Sequence, residues 1–130
     1  MTVDADRFGY AIESILKDVS DNLDKNLTSA VKSAVRVGVQ QERMYAAAYP
    51  LVITGKYIEG ISSHVSRKGK NDVYGEIGNK NKPGLAHLLE KGHATIGGGR
   101  VPAYPHIAYA ADEAFEKFEE LALEAVDKSL

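Results

Sequence analysis

The stretch from Pro83 to Ala111 limits the fold more than any other part of the chain, because glycines and prolines restrict its backbone at several points. Its first part, GLAHLLE, places leucines at helical spacing and predicts a short helix over about 84–91. Gly92 favours a helix end, since glycine accepts positive φ without a steric cost. The following segment, 92–105, contains three consecutive glycines and two prolines and is predicted to be a loop. We interpret the whole stretch as a joint between two helices.

A long helix is predicted before this joint, over residues 5–48. Apolar side chains recur there every three or four positions, and Asp4 or Asp6 is placed to cap the first turn. Unbroken, the helix would be about 60 Å long at about 1.5 Å per residue, which is more than a body of 130 residues needs. We therefore expect either a projecting helix that serves a partner, or two antiparallel helices that close their own core. A break between two such helices is expected near 18–22 or at Gly38.

The remaining elements complete a single domain that spans residues 1–130. Thr54 can cap a short helix, and apolar and polar residues alternate on both sides of a Gly-Lys-Asn-Asp turn, which predicts a β-hairpin over about 61–78. An apolar stripe opposite an acidic face predicts a C-terminal helix over 106–128. The predicted fold class is α+β, with long N-terminal and C-terminal helices packed against a small antiparallel β-sheet.

Charge is distributed unevenly along the chain, although the net charge is only −2. This balance disfavours a nucleic-acid binder that uses the whole chain. Residues 56–100 carry eight bases and four acids, whereas residues 112–127 carry seven acids and one base. Such segments can attract each other in head-to-tail assembly, or can form two independently solvated faces. Three bases cluster at the hairpin tip: Arg67, Lys68 and Lys70. Three interpretations are open: an ordinary solvated turn, the lining of a passage through which DNA moves, or a contact with an acidic partner.

No pattern in the sequence predicts catalysis, a cofactor or a bound metal. Cysteine is absent, which excludes disulfides and thiolate ligands. His87, His93 and His106 with Glu90 lack the spacing of known zinc motifs, so we expect these histidines to form hydrogen bonds in loops and at helix ends. The glycine run lacks the phosphate-binding patterns, and the serines lack the setting of a nucleophile. We therefore expect a protein that is not an enzyme.

A longer pattern carries a family resemblance. The segment LAHLLEKGHA at 85–94, the glycine run and VPAYPHI at 101–107, followed by an alanine-rich helix, resemble the tail-completion or head–tail joining proteins of long-tailed bacteriophages. The long N-terminal helix, the Thr-Gly start of a short helix and the hairpin precede them in the family's order, so that the resemblance covers about residues 8–127. Lys91 and Tyr104 depart from the family pattern, which has an aromatic and a basic residue respectively at these positions.

The resemblance implies a virion structural protein without catalytic activity, located in the tail or neck of the particle and in the host cytoplasm during assembly. It implies a neck or minor tail component that forms a ring, with a hexamer as the expected form. The implied partners are the phage connector or head-completion protein and the tail-tube or tail-terminator protein, with no membrane and at most transient contact with passing DNA. The alternative function is a small nucleic-acid-binding regulatory protein that uses Arg67, Lys68 and Lys70 of the hairpin.

We expect the surface that meets partners or further copies to lie in the joint, because its glycines allow a segment that orders on docking. The residues predicted for this surface are Leu85, Leu88, Leu89, Gly92, His93, Gly97, Gly98, Gly99, Arg100, Pro102, Tyr104, Pro105 and His106.

Overall fold

A computed structural model describes residues 5–130, with side chains at position 7 and from position 9 onward. The predicted cap residue Asp4 lies outside the described residues, and so does the side chain of Asp6. The predicted α+β class is confirmed: two long helices pack with a small antiparallel sheet. The elements are, in chain order, α1 (Ala5–Ala47), α2 (Gly55–Gly60), β1 (Ile61–Gly69), β2 (Asp72–Asn79), a 3-10 turn (Pro83–Leu85), α3 (Ala86–Lys91), β3 (His93–Ala94), β4 (Arg100–Val101) and α4 (Ile107–Ser129).

Helix α1 is a single unbroken helix of 43 residues, about 65 Å long. Of the two alternatives, the structure has the continuous, projecting helix: the break considered near 18–22 or at Gly38 is absent from Ala5–Ala47, and so is the pair of antiparallel helices. At Gly38 the reason is packing, since an added Cβ would lie 2.2 Å from Cδ1 of Ile77 and 3.1 Å from Cβ of Ala114. Glycine at this position lets strand β2 and helix α4 approach α1 closely. This packing offsets the cost of about 1 kcal/mol, relative to alanine, of a glycine inside a helix.

The core lies where the C-terminal part of α1 meets α2 and the hairpin. Ala46, Ile53, Tyr57 and Ile61 are almost completely buried and form one cluster. Thr54 caps α2 as predicted, because its hydroxyl accepts a hydrogen bond from the Tyr57 N–H at 3.2 Å. Farther along α1, α4 packs beside the helix and the hairpin β1–β2 lies across it. The first turns of α1 extend beyond this body, and residues 9–18 are all exposed.

The predicted loop 92–105 contains two short strands, which differs from the sequence prediction. His93 pairs with Val101 and Ala94 with Arg100 in a second, very small antiparallel sheet. Strands of two residues are too short for alternation to show in the sequence. The larger hairpin runs from Ile61 to Asn79, one residue beyond its predicted end.

Glycine at position 75 allows β2 to lie directly on α1, and replacing it tests this packing. In Gly75→Ala, the new Cβ would lie 2.5 Å from Cγ1 of Val35 and 2.8 Å from Cγ1 of Val31. Because β-branched side chains are stiff, we expect the free energy of unfolding to fall by about 1–3 kcal/mol in urea denaturation. Gly78→Ala is the control on the same strand, since nothing lies within 4 Å of its added Cβ. Equal stability of the two variants would contradict the packing described here.

Candidate functional site

A tight turn at Gly92 sets the shape of the joint. Helix α3 ends there with φ of 71°, and an added Cβ would lie 2.4 Å from the carbonyl oxygen of Val101 and 3.0 Å from the backbone nitrogen of Ala103. Glycine is required both by the positive φ and by this close approach of two backbone segments. Within the joint, the segment 92–105 consequently folds back as a small hairpin that lies against the end of α3.

Glu90, near the end of α3, caps the first turn of α4. Its Oε1 accepts hydrogen bonds from the N–H groups of His106 (2.8 Å) and Ile107 (2.7 Å), and its Oε2 accepts from Ala108 (3.0 Å). The first N–H groups of a helix lack partners within the helix and favour a negative charge. Burial alone would raise the pKa of the Glu90 carboxyl, but these three N–H groups hold the pKa below its usual value.

His106 is fully buried and joins the start of α4 to α2. Its Nδ1 lies 2.8 Å from the carbonyl oxygen of Tyr104, and its Nε2 lies 2.8 Å from the hydroxyl of Tyr57. Because a carbonyl oxygen only accepts hydrogen bonds, we assign the proton to Nδ1, which leaves Nε2 to accept from the Tyr57 hydroxyl. His106 thus has the hydrogen-bonding role at a helix end that the sequence predicts.

A second carboxyl, that of Glu42 on α1, is buried, with 4% of the residue exposed, whereas Glu90 is half-buried. Burial raises the pKa of Glu42 to about 7, and the Glu90 carboxylate adds to the shift. Burial together with the charges of Glu42 and Glu90 raises the pKa of the Tyr57 hydroxyl to about 12. These polar side chains come from α1, α2, α3 and the start of α4. The name latch cluster is used here for the four of them: Glu42, Tyr57, Glu90 and His106.

Several residues predicted for the partner surface instead make internal contacts. The Tyr104 N–H donates to the carbonyl oxygen of Leu89 at 2.6 Å, and the Tyr104 ring meets the Tyr49 ring edge-on with centroids 5.2 Å apart. Leu89 and Tyr104 both pack against the core cluster. The prediction of His106 as a surface residue is wrong, because its side chain is completely buried. The sequence does not reveal this burial, because the hydrogen-bonding partner of His106 is Tyr57 on α2, far away along the chain.

The other predicted surface residues are exposed or half-buried. Arg100 is exposed and donates from Nη2 to the carbonyl oxygen of Lys91 at 3.1 Å. The Nδ1 atom of His93 is buried and has no hydrogen-bond partner among the described residues. The exposed members of the predicted set are Leu85, Gly97, Gly98, Gly99, Arg100 and Pro102, whereas Leu88, Gly92, His93 and Pro105 are half-buried.

The glycine run forms an ordered turn at the tip of the small hairpin. The Thr95 N–H donates to the carbonyl oxygen of Gly99 at 2.8 Å, and the Gly98 N–H donates back to the carbonyl oxygen of Thr95 at 3.2 Å. Ile96 is fully exposed at this tip. Sequence reasoning missed Ile96 as a candidate contact, although an apolar residue directly before three glycines was an available signal.

The basic tip of the larger hairpin is tied to α1 by acidic side chains. Arg67 forms an ion pair with Asp24, and Lys70 forms one with Asp21. Asp24 also accepts a hydrogen bond from the Asn71 N–H at 2.7 Å. This bond and the Arg67 pair hold the pKa of Asp24 below its usual value. Two aspartates of α1 therefore neutralise much of the positive charge at the tip.

Lys68, the third base of the tip, also makes a contact within the chain. Its Nζ lies 4.8 Å from the centroid of the Tyr74 ring, which is a cation–π geometry. Affinity for nucleic acid rises with the number of phosphates that a protein neutralises. With all three bases engaged internally, the arrangement suits a hairpin held on α1 better than a nucleic-acid interface.

An apolar groove lies beside α1 and is open to solvent. Its floor is formed by α1 and its walls by β2 and α4, and its volume is about 420 Å³. Glu42 is the charged residue of its lining. We call it the α1–β2–α4 groove. Its apolar lining includes Val31, Val35, Ile77, Ala110, Phe115 and Phe118.

The described residues contain neither a candidate metal cluster nor a candidate membrane span. Within 5–130, no three or more acids or histidines are grouped so that they could hold a metal ion. No helix in that range combines the length and the apolar character needed to cross a bilayer.

Comparison of the chain with protein-family models, with curated proteins and with solved structures found no match. The resemblance to the tail-completion proteins therefore depends on the residue pattern alone. It stays a prediction, as do the function, partners and location that it implies.

A pH-dependent stability is expected from Glu42. Because folding raises its pKa, the folded chain holds an extra proton between the usual glutamate range and about pH 7, and the free energy of unfolding falls as pH rises through that window. Glu42→Gln stays neutral at every pH. We expect its urea-unfolding free energy to equal that of the wild type near about pH 5 and to exceed it by on the order of 2 kcal/mol near about pH 8.

The control for this measurement is Glu116→Gln, which replaces an exposed carboxyl on α4. The difference between its unfolding free energy and that of the wild type should be the same at both pH values. A stability difference between Glu42→Gln and the wild type that does not change with pH would show that Glu42 ionises normally in the folded chain.

Proposed function

We propose that this chain is a structural protein of a tailed bacteriophage, which joins head and tail by assembling with copies of itself and docking on neighbouring ring proteins. The observation that carries the proposal is the amount of apolar surface turned toward solvent. Ile15, Leu16, Ile96 and Phe115 are each more than half exposed. Ile15 and Leu16 are neighbours on the exposed first turns of α1, and a contiguous apolar patch on a folded chain marks a site of protein–protein contact.

The physical roles of the motif residues also support the proposal. Glu90 caps α4, Gly92 permits the close turn and His106 joins α2 to α4. The residues that carry the family resemblance are thus those that build the joint. Any protein that forms the same joint needs these residue types at this spacing. A short sequence pattern can therefore be common to proteins that have the same architecture.

The alternative, a nucleic-acid-binding regulator, is less well supported. It requires Arg67, Lys68 and Lys70 to reach phosphates. In the described chain, two of these bases pair with aspartates and the third lies on a tyrosine ring. Binding would have to break these contacts as well as displace counterions.

The direct test deletes the gene from the phage or prophage that carries it. If the chain joins head to tail, electron microscopy should show DNA-filled heads and free tails as separate objects, and infectivity should fall by several orders of magnitude. Supplying the full-length chain from a plasmid should restore complete particles, which controls for effects on neighbouring genes.

Normal numbers of complete, infectious particles after deletion would overturn the proposal. Filter binding of the purified chain to duplex DNA provides a separate comparison. Submicromolar affinity at physiological salt that weakens steeply with added salt would favour the regulatory alternative instead.

A further inference from the structure

The side of α1 that lies next to β1 carries a row of bases. Lys25, Lys32, Arg36 and Arg43 follow one another at intervals of seven, four and seven positions, which places them on one side of the helix. All four side chains are exposed. No aspartate or glutamate occurs in the sequence between positions 25 and 41. The row is therefore a strip of positive charge on a chain whose net charge is −2.

A cleft of about 480 Å³ lies between this row and β1. Lys32, Arg36 and Arg43 line it from α1, and Val39 and Val65 contribute apolar surface. Among the described residues, no aspartate or glutamate lines this cleft. We call it the α1–β1 cleft. Its combination of positive charge and apolar surface suits a partner that is acidic and partly apolar.

The positive charge of the cleft is not neutralised within the described chain. Lys32 and Arg36 form no ion pair with any residue of 5–130. Arg43 donates from Nη2 to the carbonyl oxygen of Ile61 at 2.7 Å, and this acceptor carries no net charge. The hairpin tip differs, because two of its bases pair with aspartates of α1. The cleft thus keeps its capacity for a negatively charged partner.

The outer side of α4 is the complementary surface, which we call the α4 acidic face. Its exposed acids are Asp112, Glu116, Glu119, Glu120, Glu124 and Asp127. Leu123 is 71% exposed and lies three or four positions from Glu119, Glu120 and Asp127, which is the spacing of neighbours on a helix surface. The α4 acidic face therefore combines negative charge with a large apolar side chain.

The row of bases and helix α4 lie on opposite sides of α1. Gly38 lies against Ala114 of α4, and the Tyr45 hydroxyl donates a hydrogen bond to α4. Arg36 and Arg43 lie two positions before Gly38 and Tyr45, respectively. Two positions are a rotation of about 200° around a helix of about 3.6 residues per turn. The bases therefore point away from α4.

The acids of α4 point away from α1 for the same geometric reason. Ala114 packs beside α1, and Ala125 is buried. Glu116 and Asp127 follow these alanines by two positions. Each copy consequently offers a basic cleft on one side and an acidic helix on the other. It cannot bring its own acidic face into its own cleft, whereas a second copy can.

We propose that the α4 acidic face of a second copy docks in the α1–β1 cleft, with its acids paired to the bases of the cleft. The two charged rows have similar lengths: Lys25 to Arg43 spans about 27 Å and Asp112 to Asp127 about 23 Å, at about 1.5 Å per residue. Leu123 supplies an apolar group for the valines of the cleft. A nucleic-acid backbone would match the charge but would leave that apolar surface uncovered.

The contact is heterologous, because the two partners use different surfaces. Contacts of this kind repeat around a closed ring or along an open filament. The inference rests on the self-association in the proposed function and adds the surfaces that perform it. It also assigns the positive charge to the bases of α1 rather than to those of residues 56–100.

Association through this contact should depend on salt. The distance over which exposed charges interact falls from about 10 Å at about 0.1 M salt to about 3 Å at about 1 M. We expect the purified full-length chain to self-associate at the lower salt concentration in sedimentation equilibrium. Its dissociation constant should rise at least about ten-fold at the higher one.

Two charge-reversed chains identify the surfaces. Lys32→Glu with Arg36→Glu reverses the cleft, and Glu116→Lys with Glu119→Lys reverses α4, all at exposed positions. Each full-length variant alone brings like charges together, so its dissociation constant should be at least about ten-fold higher than that of the wild type. An equimolar mixture should recover to within about three-fold of the wild type, because each cleft then meets an α4 of opposite charge. A variant that only misfolds would not recover on mixing.

The matched control is Lys80→Glu with Lys82→Glu. It changes the net charge by the same amount as the cleft variant, at exposed positions outside the cleft. This control should associate as the wild type does. Circular dichroism of every variant checks that the fold is retained.

Three results would overturn the inference. The wild type could remain monomeric at every concentration at low salt, the charge reversals could leave association unchanged, or the mixture could stay as dissociated as each variant alone. Duplex DNA binding that is lost only in the cleft variant, without any self-association, would assign the cleft to phosphates instead. If gene deletion still separates heads from tails in these cases, head–tail joining stands and only this surface assignment fails.

Discussion

The carboxylate of Glu90 at the first turn of α4 is the contact on which the joint depends. It provides acceptors for three backbone N–H groups that the helix itself cannot satisfy. His106 is buried, and a buried donor left without a partner costs about 1–3 kcal/mol, so loss of this carboxylate would favour opening of the segment. His106 adds a second tie, through Tyr57, between α4 and α2. Together these bonds turn a glycine-rich and proline-rich stretch into a rigid connection.

The interior of this molecule combines an apolar core with a few buried polar side chains, while several large apolar side chains remain exposed. Hydrogen bonds of Glu90 and His106 connect α3 and α2 with the start of α4, while Ile15 and Leu16 of α1 and the α1–β2–α4 groove stay open to solvent. Ion pairs also form within the chain. Arg67 and Lys70 pair with aspartates of α1, so part of the basic character of residues 56–100 is satisfied within the chain and is not offered to the acidic α4 of a neighbour.

The sequence predicts the elements of this fold well and their contacts poorly. Periodicity is a local property, so it predicts both long helices and the hairpin within a few residues. It misjudges Gly38, because a glycine that admits Ile77 and Ala114 looks the same in the sequence as one that breaks a helix. It places His106 on the surface, because the Tyr57 hydroxyl that binds it lies 49 positions away. The groove is invisible for the same reason, since three distant elements form it.

Hydrogen exchange at the N–H groups of His106, Ile107 and Ala108 tests the central claim most directly. If Glu90 holds the joint closed, these three groups should be protected at neutral pH to the same degree as the middle of α4. Folding lowers the pKa of Glu90, so its contribution is present above the usual glutamate range and is lost as pH falls through the lowered value, and protection should fall there first. Exchange at neutral pH as fast as that of the exposed Gly97 would contradict the account.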